Sequence, residues 1–272
     1  MPAAAISASV RFVTDRRVDV GAAQPIYIQN DPPLLRPEDI SGVGGVWYSD
    51  RLRYQDAALT IPATDGTPLG GWSPVAGSLP AFTASGSARP TNSAAGVVFN
   101  GTANVMSYAG NTLMNATSRT ILLFGSAPAA SATRPLFANG NANWYVGQTG
   151  SSGVNGRLIS NWQDAGAVTR NLSTSTVTEP FNGVPHVYCW RHATSGANVT
   201  VDHFLDSDLV ATTTRTDGMA ATTHSTWYLG AFAAGSLFGA WTVRAIALIP
   251  FALSESQRRG ILAYWQIIYG LM

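Results

Sequence analysis

From residue 43 to residue 251 the chain is cut into short apolar runs by Gly, Pro, Asn and Ser, and that punctuation most restricts what it can fold into. The runs are "GVVFN" (96–100), "SRTILLFG" (118–125), "NWYVGQ" (143–148), "RLISNWQ" (157–163) and "VPHVYCWR" (184–191). They continue with "ANVTVDHFLD" (197–206), "LVATTT" (209–214), "TWYLGAF" (226–232) and "AWTVRAIALIPF" (240–251). β-Branched and aromatic residues at intervals of roughly ten positions, without alternating helices, predict an all-β chain folded as a two-sheet sandwich. In 197–206, Val199, Val201, His203 and Leu205 fall on one face and Asn198, Thr200, Asp202 and Phe204 on the other. "LDSDL" after it reads as a hairpin turn, which gives Asp206 and Asp208 turn duties.

One helix is predicted, at the end, in "LSESQRRGILAYWQIIYGLM". Ser254 with Gln257 makes a capping box, Glu255 suits the positive end of the helix dipole, and Gly270 suits the stop. Ile261, Leu262, Trp265 and Ile268 share a face, so the helix, 254–269, is expected to lie as a lid on the sandwich. The first 42 residues differ. "ISASVRFVTDRRVDV" and "QPIYIQ" are short strand-like runs, and "NDPPLLRPEDISG" follows with three prolines. With too few apolar residues to close a core, 1–42 reads as an extended attachment arm that adds strands to a partner, and 43–272 as the domain. Arg11, Phe12, Arg16, Arg17, Ile26, Tyr27 and Ile28 are its candidate attachment residues.

Composition removes several functions. Net charge is +1 with 11% charged residues, so there is no basic footprint for nucleic acid. All 16 basic residues are Arg, which excludes lysine Schiff-base chemistry and the GxxxxGK phosphate loop. Cys189, the single cysteine, lies in an apolar run and reads as a buried thiol. No run approaches the ~20 apolar residues of a membrane helix, and "MPAAAISASV" lacks the basic start of a signal peptide, so a soluble protein without membrane insertion is expected. His186, His192, His203 and His224 lack metal-ligand spacing and read as half-buried strand or loop residues; no metal or other cofactor is implied. The glycines of "GQTGSSGVNG" (147–156) read as a flexible loop.

"GVWYSDRLRYQDA" (45–57) could be a sugar platform, an acid/base site or the packed entry to a β-domain. Its continuation, "VWYSDRLRYQDAALTIPATDGTPLGGW" (46–72), resembles the opening of concanavalin A-like (laminin-G-like) jelly-roll domains of tailed-phage virion proteins. "ARPTNS" (88–93), "GVVFNG" (96–101) and "RTILLFG" (119–125) follow in that family's order, and "FALSESQRRGILAYWQIIYGL" resembles its terminal helix. The similarity runs through nearly all of 43–272; the arm 10–28 also resembles N-terminal segments of virion proteins. The chain departs from the pattern at Asn100, where the family has Asp, and at Ser73-Pro74, where it has an acid. The resemblance implies packing duty for Trp47, Tyr48 and Trp72, and turn duty for Asp50, Gln55 and Asp56.

It also implies a spike, fibre or decoration subunit of a phage or gene-transfer-agent particle. Such a subunit would be held to other capsid or tail proteins by its arm, self-associated as a homo-oligomer, and would bind host surface polysaccharide. Two alternatives are a structural cement protein without ligand and a polysaccharide-degrading enzyme. Retaining hydrolases need two carboxyls ~5 Å apart. The three Glu here are Glu38, Glu179 and Glu255, and none has an Asp two positions away, so no enzyme is expected. For sugar binding, "NGNANWYVGQ" and "SNWQDAG" offer Asn141, Asn143, Trp144, Tyr145, Trp162, Gln163 and Asp164: flat rings for C–H faces, amides and a carboxylate for hydroxyls.

Overall fold

The computed structural model describes residues 17–18, 26–27, 33–130, 132–140, 143–151, 154–174, 181–220, 223–232 and 236–270. Two antiparallel sheets face each other. In spatial order the first runs Asp208–Arg215, Asn198–Leu205, His186–Ser195, Arg119–Ser126, Thr242–Ile249, Gly45–Tyr48 and Ala76–Gly77. A hairpin of Thr91–Ser93 and Gly96–Val98 joins its Thr242–Ile249 strand. The second runs Thr169–Ser173, Val154–Gln163, Tyr145–Ser151, Arg134–Asn139, Trp227–Leu229, Met106–Tyr108, Phe82–Thr83, Gly71–Trp72 and Arg53–Tyr54. This is the expected all-β jelly-roll sandwich with one C-terminal helix. Of "GQTGSSGVNG", residues 147–151 and 154–156 are not loop but belong to the paired strands Tyr145–Ser151 and Val154–Gln163, because the in-phase apolar residues Val146 and Leu158 bury on their inner face.

Alternation along each strand feeds two cores. Ile121, Leu123, Trp190, Ile246 and Leu248 point between the sheets. Their neighbours Leu122, Phe124, Cys189, Ala247 and Ile249 point the other way, against Ile261, Leu262 and Trp265 of the helix. The first sheet is therefore covered on both faces, which accounts for its continuous apolar strands. Burial in that second layer pushes the Cys189 thiol up to about 12, so it is an inert core residue. The helix spans Glu255–Ile268 with both capping-box bonds formed, Gln257 N–H to Ser254 Oγ at 3.2 Å and Ser254 N–H to Gln257 Oε1 at 3.0 Å.

The entry segment packs as the family resemblance implies. Trp47 Nε1–H donates to the Trp72 carbonyl and Trp72 Nε1–H to the Tyr48 carbonyl, each at 3.0 Å, and both indoles are fully buried. Asp56 accepts from the backbone of Thr60 and Ile61, and Gln55 donates to the Pro62 carbonyl. Asp50 does not share this duty; it is exposed beside Arg51. Asn100 Oδ1 accepts from Thr102, Ala103 and Asn104 N–H, so the amide closes this turn.

Of the arm, Arg11, Phe12, Arg16 and Ile28 lie outside the described residues. The backbones of Arg17–Val18 and Ile26–Tyr27 pair with each other as a two-stranded antiparallel ladder. Residues 33–42, assigned to the arm from sequence, lie on the domain. The Leu35 N–H donates to the Gly260 carbonyl at 3.2 Å, the Tyr48 hydroxyl donates to Glu38 at 2.7 Å, and Ile40 is buried in the helix-side core. Gly260 makes this seat: a β-carbon there would stand 2.6 Å from the Pro33 carbonyl oxygen and 2.9 Å from Leu35 Cβ. Gly260→Ala should favour the helix by about 1 kcal/mol yet displace this segment. Limited chymotrypsin digestion is expected to cut after Leu34 and Leu35 several-fold faster with little change in the thermal midpoint; unchanged cleavage would refute the seat.

Candidate functional site

Among the described residues the outer face of the second sheet carries no helix. Its register aligns one outward row across all nine strands: Asn171, Asn161, Tyr145, Ala138, Tyr228, Ser107, Thr83, Gly71 and Tyr54. Each of these alternates with a residue that points into the core, Trp162 beside Asn161, Val146 beside Tyr145, Trp227 beside Tyr228 and Phe82 beside Thr83. Asn171 is exposed, and Tyr228, Ser107, Thr83 and Tyr54 are half-buried. Phe232 folds over the middle of the row, edge-on to Tyr145 at 4.9 Å and packed on Ile159 and Ala138. Leu59 closes one end by lying against Gly71, where a β-carbon would meet its Cδ2 at 2.2 Å. Asn161 Oδ1 is buried on this face with no hydrogen-bond partner. Rings, amides and hydroxyls on a half-exposed sheet are the chemistry of carbohydrate recognition.

The residues singled out from sequence are divided by the pleat. Trp144 and Trp162 are 1% and 0% exposed and form part of the sandwich core, so neither offers a ring to a ligand. Asp164, 2% exposed, closes a turn: it accepts from Gly166 N–H and Val168 N–H at 2.9 Å each and pairs with Arg170 at 2.6 Å. Arg170 also holds Asp217 at 2.9 Å, and Arg215 holds Asp217 at 2.7 Å. This cluster ties the edge strand Thr169–Ser173 to the edge strand Asp208–Arg215 across the side of the sandwich, and the Arg215 hydrogen bond holds the Asp217 carboxyl down to about 2. Asn143 and Gln163 are half-buried and bonded to each other at 3.0 Å, Tyr145 lies under Phe232, and Asn141 lies outside the described residues. Tyr228, Asn171, Ser107, Thr83 and Tyr54 escaped the sequence reading, since only long-range register brings them into one row.

Behind this face lies a buried polar chain. Trp144 Nε1–H donates to His192 Nδ1 at 3.5 Å; His192 Nε2 meets Ser160 Oγ at 3.3 Å, and Ser160 Oγ meets His203 Nε2 at 2.7 Å. His192 and His203 are fully buried rather than half-buried, because their strand positions alternate into the core. Burial pushes His203 down to about 3; burial, then the Arg119 charge, holds His192 well below its ordinary value. Arg119 is itself buried without a carboxylate, donating to the Met114 carbonyl at 2.8 Å with its guanidinium 4.6 Å from the Trp144 ring. Burial pushes it down to about 9.

No family model and no curated protein matches the chain. Among solved structures it is similar to the Trypanosoma rangeli sialidase in complex with sialic acid, with a TM-score of 0.52 at 15% identity over 85% of this chain and 34% of that one. It is also similar to the CBM40 of the Ruminococcus gnavus IT-sialidase bound to α2,6-sialyllactose, with a TM-score of 0.43 at 13% identity over 56% of this chain and 86% of that one. A third is the botulinum neurotoxin type G receptor-binding domain, with a TM-score of 0.44 at 9% identity over 61% of this chain and 41% of that one. The chain thus spans about a third of the sialidase. At these identities the likeness is one of fold, a β-sandwich.

Proposed function

We propose that the chain is a non-catalytic carbohydrate-binding sandwich whose ligand lies on the outer face of the second sheet. The observation that carries this reading is the outward row of rings, amides and hydroxyls, left uncovered by the helix that seals the opposite sheet. A hydrolase is disfavoured because no strand of the second sheet contains Asp or Glu, so its strands supply no carboxyl pair to that face. The finer reading, a homo-oligomeric virion surface subunit carried by its leading segment on capsid or tail proteins, rests on the motif order of 46–72 and 254–271. Imaging a particle with this subunit located would test that part.

Tyr228 tests the face. It is half-buried, its side chain makes no hydrogen bond, and its flanking residues Trp227 and Leu229 hold the strand in the core. Tyr228→Ala should lower glycan affinity by about tenfold or more, the effect of losing one stacked ring, with an unchanged thermal midpoint. Retained affinity on a glycan array would move the ligand elsewhere; no binding by the intact protein to any glycan would remove the function.

A further inference from the structure

We infer that the ligand of this face is an acidic polysaccharide whose anionic group sits at Arg157; the inference rests on the carbohydrate reading above. The starting point is an account of the arginines. Three of the 16 (Arg11, Arg16, Arg17) have no described side chain, which leaves thirteen. Seven of the thirteen face a carboxylate. Four more donate to carbonyl or amide oxygens. Arg134 and Arg157 do neither, and no ring lies under them. In a chain where every other described guanidinium is engaged, the two free ones stand at the same end of the second sheet.

Their placement follows from register. Arg157 precedes Leu158, which points into the core, so Arg157 points outward on the candidate face. It pairs across the strands with Thr149, whose hydroxyl meets that of Thr133 at 2.9 Å; Arg134, opposite the buried Gln148, stands at the same end but on the other pleat, which leaves Arg157 as the cation of this face. The Nε of Arg157 is buried with no acceptor, a donor waiting for one. A carboxylate, sulfate or phosphate oxygen is the acceptor that satisfies both the unspent donor and the unspent charge, and guanidinium binds such groups through paired N–H donors. No acid on the strands of this sheet competes for it. From Tyr228 to Arg157 the face extends three strands sideways and four residues along, about 20 Å. Only a chain of sugars reaches both ends. Two free cations are too few for nucleic acid, which rewards many phosphate contacts at once.

The test is a panel of bacterial surface polysaccharides, each in native and carboxyl-reduced form, titrated against the intact protein, Arg157→Gln and Tyr228→Ala. The intact protein is expected to prefer the native form of its best ligand by about tenfold, the effect of one charge-assisted contact, with the preference shrinking as salt rises. Arg157→Gln should bind native and reduced forms alike at the level of the reduced form. Equal binding of the two forms by the intact protein, or an undiminished preference in Arg157→Gln, overturns the acidic assignment and leaves the carbohydrate reading standing. Absence of binding to every polymer overturns both.

Discussion

Replacing Trp162 by Ala should destabilise the domain by about 3–5 kcal/mol, the cost of emptying a large aromatic site in a close-packed core. The indole is fully buried, packed 5.8 Å from the His192 ring on the inner side of its strand. Its removal opens a cavity beside the His192–Ser160–His203 chain, where the surrounding strands cannot collapse without breaking register. Chemical denaturation of Trp162→Ala and Trp144→Ala measures the effect. The contrast with Tyr228→Ala separates two roles that look alike in sequence: a core ring costs stability and leaves the affinity of the folded fraction unchanged, and a face ring does the reverse. If Trp162→Ala proved as stable as the parent and failed to bind glycan, the sheet would present its other side to the ligand and the outward row would lose its meaning.

That contrast also marks how far the chain could be read unaided. Strand runs, the hairpin turn at Asp206 and the capped helix follow from local alternation and capping, and each is present in the fold. The proposed sugar face does not follow, although part of the signal is there. Trp162 is in phase with Leu158, and Trp144 with Val146, so a period of two places each indole on the apolar side and its amide neighbours on the other. A platform of Trp and Asn adjacent in sequence on one strand contradicts the pleat. The row ending in Tyr228, Ser107, Thr83 and Tyr54 needs nine strands in register, and sequence spacing carries no information about that. The free state of Arg157 is equally invisible, because it becomes meaningful only once the other described arginines have been seen with their partners.

The second large effect is acid lability with its onset near neutrality. His192 and His203 are buried and neutral in the folded chain, and both have pKa values depressed by burial. Unfolding restores the ordinary value near 6.5, so below that pH the unfolded chain binds protons that the folded chain refuses. The stability is complete above about pH 6.5 and is lost as pH falls, at about 1.4 kcal/mol per pH unit for each histidine that stays neutral. For His203 the loss continues toward its folded value of about 3. His192, held down by the same burial, adds to the loss in the same direction. Between pH 6.5 and 4.5 His203 alone should remove about 2–3 kcal/mol, a large share of the stability of an ordinary domain. The carboxylates contribute in a lower window, since Asp217 and Glu255 are held down to about 2 and give up their stabilisation only as pH falls below about 5. Denaturant melts at half-unit steps should therefore show a slope beginning near pH 6.5, and His203→Gln should reduce it while keeping an amide within reach of Ser160. A flat profile from pH 7 to 5 would mean that these imidazoles take up protons in the fold, beside an arginine and with no carboxylate among their described bonding partners, which the buried chain from Trp144 to His203 gives them no means to stabilise.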